Sequence, residues 1–126
     1  MAAVVVWAVF FLSLGLRPYS FEWPPDWRLH TEFYRRDSIR NFVMFVPFGF
    51  MITPLFRRAP LLATGIFCFL LSGTVEFGQQ FLPRRYPSVP DLVCNTFGGL
   101  SGAAALLALE RLWRAIRQVS QSASGR

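Results

Sequence analysis

Four apolar blocks, residues 1–16, 39–56, 61–82 and 92–109, make up more than half of this 126-residue chain, with short polar or proline-bearing stretches between them. Blocks of that length restrict the fold severely. A helix of about 20 residues matches the roughly 30 Å hydrocarbon core of a bilayer, and only helices or closed barrels satisfy their own backbone groups there. The pattern predicts an all-α fold: a small integral membrane bundle of four transmembrane helices, followed by an amphipathic basic C-terminal helix. The expected division is a membrane domain over residues 1–110 and a basic tail over residues 111–126.

No basic residue precedes the first block and no A-x-A site follows it, which favours a retained helix over a cleaved leader. Residues 17–38 carry Tyr19, Phe21, Trp23, Trp27, Phe33 and Tyr34 among three prolines. Such rings suit the headgroup level, so the stretch is expected to lie along the bilayer surface, with a substrate lid as the alternative. Pro47 is expected to kink the second span. In the third span, Gly65, Phe69, Ser72, Glu76 and Gln79 or Gln80 recur on one helical face. The tail sets Leu112, Trp113, Ile116 and Val119 against Arg111, Arg114 and Arg117, the pattern of a helix on an anionic membrane surface, and the residues from Ser120 onward read as disordered.

All thirteen basic residues are arginine, against seven acids, and most flank the apolar blocks. That placement points to lipid headgroups rather than nucleic acid. Cys68 and Cys94 lie in apolar segments at different expected depths, too far apart for a disulfide, and read as packing residues. With His30 as the sole histidine, neither a metal nor a cofactor is expected.

Polar residues inside lipid cost about 2.5 to 3.5 kcal/mol on insertion scales when charged, so Glu76, Gln79, Arg85, Asp91 and Asn95 call for a reason. Antiparallel threading of four spans brings the start of the second, the end of the third and the start of the fourth to one membrane face. Arg40 and Asn41 enter at that face, Arg85 stands beside it, and Glu76 lies about 9 Å below it. One polar pocket opening on one side of the bilayer is expected, with Glu76 paired to Arg40 or Arg85. Ser88-Val89-Pro90-Asp91 has the form of a capping box, so Asp91 is read as a helix cap, a functional group, or both.

The spacing Glu76-x-x-Gln79, Arg85 six residues before Asp91, Asp91-x-x-x-Asn95 and Gly98-x-x-x-Gly102 resembles that of the VanZ-like family, as does the upstream stretch Asn41-x-x-x-Phe45-x-Pro47-x-Gly49. The resemblance implies a role in the cell envelope or in glycopeptide (teicoplanin-type) resistance, without assigning a chemical mechanism. It also implies a bacterial plasma-membrane location. Termini in the cytoplasm follow from the short, acid-poor segments on that side. The expected ligands, beyond membrane lipids, are a lipid-linked cell-wall precursor or a glycopeptide-related molecule. Two other functions remain open: a membrane-embedded hydrolase or transferase using Glu76 and Asp91 on a lipid-linked precursor, and a small proton-coupled transporter. No catalytic residue is assigned.

Overall fold

The computed structural model describes residues 5, 6, 9, 28–32, 34–82 and 86–124. The first expected span, residues 1–16, lies outside the described residues except for Val5, Val6 and Val9. Three helices follow in order: α1 (Arg35–Ile52), α2 (Pro60–Gln79) and α3 (Val89–Ser124), with a short 3-10 turn, Thr53–Leu55, after α1. All three are long and apolar enough to cross a membrane. Their apolar exterior fits that solvent: Val43 and Phe50 on α1, Ile66, Phe67 and Leu70 on α2, and Val93 and Phe97 on α3 are exposed.

The bundle is built on α3, which makes its main interface with α1 and a second one with α2. Since α1 and α3 run the same way, Gly98 meets Phe42 and Gly102 meets Val46, both through backbone carbonyl oxygens. A β-carbon on either glycine would collide with that backbone. Without a solvent-driven hydrophobic force between helices in lipid, such close backbone contact is what holds two spans together. Gly99 turns toward α2, where a β-carbon would meet the Cys68 sulfur. Cys68 is thus a buried packing residue, and both cysteines are free.

Helix α1 passes through Pro47 without ending. The inward stripe of α2 departs from expectation at one position. Thr64, Gly65, Cys68, Ser72, Val75, Glu76 and Gln79 are buried, whereas Phe69 is 50% exposed. Cys68, one residue earlier, keeps the three-to-four rhythm that Phe69 breaks. At the opposite end from Gln79, the buried Thr53 and Thr64 hydroxyls lie 3.0 Å apart and tie the turn after α1 to α2.

Helix α3 does not stop at the expected boundary near Glu110. It continues for 36 residues as far as Ser124, which places most of the residues from Ser120 in helix rather than disorder. Between Ala103 and Ser124 there is neither glycine nor proline to interrupt it. Leu112, Trp113, Ile116 and Val119 are exposed along this extension, and Arg117 sits over the Trp113 ring at 4.8 Å.

Candidate functional site

At the end where α1 and α3 begin and α2 finishes, a cleft of about 360 Å³ is lined by His30, Tyr34, Asp37, Arg40, Gln79, Tyr86, Ser88 and Asp91. The segment before α1 forms one wall because it pairs with the segment before α3. The His30 N–H donates to the Pro87 carbonyl at 2.8 Å, and the Val89 N–H donates to the His30 carbonyl at 3.1 Å. The His30 and Tyr86 rings stack at 4.9 Å with an 11° tilt. Residues from the stretch expected along the bilayer surface thus reach across the entrance of α3.

The start of α3 is a capping box with a substituted partner. Ser88 accepts the Asp91 N–H through its hydroxyl at 3.3 Å, as an N-cap residue should. In a complete box the acid at the third position would reach back to the cap residue's own N–H. Here that Ser88 N–H donates to Glu76 Oε2 from α2, at 2.6 Å. The carboxylate of Glu76, 7% exposed, therefore fastens the end of α2 to the beginning of α3.

This exchange leaves the Asp91 carboxylate outside the cap. It is half-buried at the cleft, beside the Asn41 amide and the Ser88 hydroxyl, with Arg40 and Asp37 near enough to act on it electrostatically. Arg40 pairs with Asp37 at 3.5 Å, one helical turn away on α1. Outside the membrane-spanning segments, Tyr34 donates its hydroxyl proton to Glu32 at 2.9 Å, and that hydrogen bond, foremost among the causes, raises the phenol above its usual range.

Of the residues singled out from sequence, Arg40, Gln79 and Asp91 line the cleft, and Asn41 backs Asp91. Glu76 and Asn95 lie deeper. Asn95 is 3% exposed and donates to the Ser72 hydroxyl at 2.8 Å, joining α3 to α2. Arg85 lies outside the described residues. His30, Tyr34, Asp37, Tyr86 and Ser88 were not among the expected site residues. Asp37 carried a usable signal, its three-residue offset from Arg40 on a helix. His30 and Tyr34 carried none, because their approach to Tyr86 and Ser88 spans more than fifty residues of sequence.

The family model described as VanZ/LLP1 matches residues 2–112, nearly the whole chain. The chain belongs to the VanZ/LLP1 family. Protein VanZ of Enterococcus faecium is 31% identical over 67 residues, which cover 53% of this chain and 42% of that protein. This VanZ-family chain thus aligns with less than half the length of that relative. No solved structure matches it. Family membership and three apolar helices together make it an integral membrane protein.

Proposed function

We propose that this VanZ-family chain acts in the bacterial cell envelope by holding a polar head group in the cleft, and that this occupancy contributes to glycopeptide tolerance of the teicoplanin type. The observation supporting the reading is the cleft itself. Charged, polar and aromatic side chains from all three helices and from the segments before α1 and α3 gather at one end of an otherwise apolar bundle. An ionisable group within a membrane-spanning helix is a functional-site candidate by default, and Asp91 stands in the first turn of α3. The head group belongs to a lipid-linked wall precursor or to a glycopeptide-related molecule.

The test is growth. In a glycopeptide-susceptible bacterium, the wild-type chain is expected to raise the inhibitory teicoplanin concentration several-fold. Asp91→Asn and Tyr86→Leu, both at residues lining the cleft, are expected to lose most of that gain at unchanged membrane abundance. If both variants match the wild type in abundance and in susceptibility, the cleft is not the seat of the function.

In this reading the cleft opens to the outside and both termini are cytoplasmic. The short connection holding Arg57 and Arg58 lies at the other end of the bundle, as does the stretch of α3 bearing Arg111, Arg114 and Arg117. Arginine in short segments on the cytoplasmic side is the commonest determinant of orientation. A phosphatase active only outside the cytoplasm, fused after Arg126, is expected to be inactive. An active fusion would reverse the orientation.

A further inference from the structure

We infer that the cleft receives an ammonium group, with Asp91 supplying the counter-charge and the Tyr34 and Tyr86 rings flanking it. The inference rests on the head-group reading above and specifies the chemistry recognised at that same site. Its starting point is the exchange at the start of α3. A carboxylate at the third position of a capping box is normally occupied by the cap residue's N–H. Glu76 has taken that N–H at 2.6 Å, so the Asp91 carboxylate faces the cleft beside the Asn41 amide and the Ser88 hydroxyl, with Arg40 and Asp37 acting on it electrostatically from α1.

The charges around the cleft select the sign of the guest. Two carboxylates, Asp37 and Asp91, line it together with one guanidinium, Arg40, and that guanidinium lies 3.5 Å from Asp37. Among the described residues a phosphate entering here would meet two like charges and an arginine already engaged. An ammonium would instead separate two mutually repelling carboxylates, and charge-assisted hydrogen bonds of this kind are about twice as strong as neutral ones. The remaining lining suits the same guest. Tyr34, Tyr86 and His30 supply ring faces, which attract cations electrostatically. Gln79 and Ser88 supply neutral oxygens. At about 360 Å³ the cleft has room for an ethanolamine or amino-sugar head but not for a large ligand buried whole.

The ammonium can come from a membrane lipid headgroup or from a soluble amine, and the experiment separates them. The full chain is reconstituted in nanodiscs of phosphatidylglycerol, which has no amine, and titrated with ethanolamine while the amide resonances of Tyr86, Ser88 and Asp91 are followed. In a parallel arm phosphatidylethanolamine replaces part of the lipid. Saturable shifts with ethanolamine identify a soluble amine, and shifts only with the amine lipid identify a headgroup; either result supports the inference. Asp91→Asn is expected to weaken the response by about tenfold or more. Tyr86→Leu is expected to weaken it less. Glu110→Gln, a control at the far end of the bundle, should leave it unchanged. Thermal melting confirms that each variant is folded, and Tyr86→Leu carries the test if Asp91→Asn is not.

Three results would overturn the inference: no response to either amine, a response that survives Asp91→Asn at full strength, or preferential saturation by inorganic phosphate that tightens in Asp91→Asn. These binding results are separable from failure of the head-group reading, which shows as unaltered teicoplanin susceptibility in cells carrying Asp91→Asn and Tyr86→Leu at wild-type abundance, whatever the amine titration gives.

Discussion

Gly102→Ala and Gly73→Ala are expected to move stability in opposite directions, although each adds the same single methyl group to the middle of a helix. At Gly73 nothing lies within 4 Å of the added carbon, so the gain in helix propensity should stabilise the protein by about 0.5 to 1 kcal/mol. At Gly102 the new carbon lands on the Val46 carbonyl and comes within 2.7 Å of the Phe50 nitrogen. Both are backbone atoms of α1, so no rotamer change relieves the contact and the two helices must separate. Overpacking of this kind costs about 1 to 3 kcal/mol, and more when a whole helix has to shift. Thermal melting of the two variants in one detergent reads the contrast. Should Gly102→Ala melt as high as Gly73→Ala, the parallel seating of α1 on α3 is wrong.

The second large effect concerns Glu76. Glu76→Ala is expected to destabilise the protein by about 1 to 3 kcal/mol, because the Ser88 N–H loses its acceptor in a part-buried setting. Glu76→Gln keeps an oxygen in the same place and should cost clearly less. The alanine variant carries a further consequence. With the Ser88 N–H released, Asp91 is free to complete its own capping box, which turns its carboxylate away from the cleft. Amide exchange at Ser88 and Val89, measured with stability, distinguishes acceptor from charge. If Glu76→Gln loses as much as Glu76→Ala, the negative charge matters and the hydrogen bond to Ser88 does not.

Much of the architecture could be read from residue pattern alone, for identifiable reasons. The apolar blocks set both ends of α1 and α2 and the start of α3 to within a few residues, since bilayer thickness leaves little freedom, but not the end of α3, which runs on to Ser124. Antiparallel threading then placed Arg40, Gln79 and Asp91 at one end, because alternation of direction is topological and needs no knowledge of contacts. Two things were not legible. Helical periodicity says which face a residue occupies but not who meets it. Glu76 was expected against Arg40 or Arg85; the structure adds a backbone N–H at the start of α3 as a partner that periodicity could not name, and Arg85 lies outside the described residues. Nor does local pattern reveal pairing between distant segments, so the bridge from His30 to Ser88, and with it a wall of the cleft, came only with the structure. The error at Phe69 is of a third kind. A large aromatic ring reads as core in a soluble protein, but in a bundle surrounded by lipid it is equally at home outside, and Cys68 takes the tight position instead.

The uninterrupted length of α3 gives the molecule a mechanical property. Its 36 residues extend about 54 Å, against about 30 Å for the hydrocarbon core. Asp91 sits on the first turn and Arg117 near the last, on one rod seated by its glycines. A load applied at the arginine-bearing tip can reach the carboxylate only through Gly98, Gly99 and Gly102, the least stiff positions of the rod and the ones braced against α1 and α2.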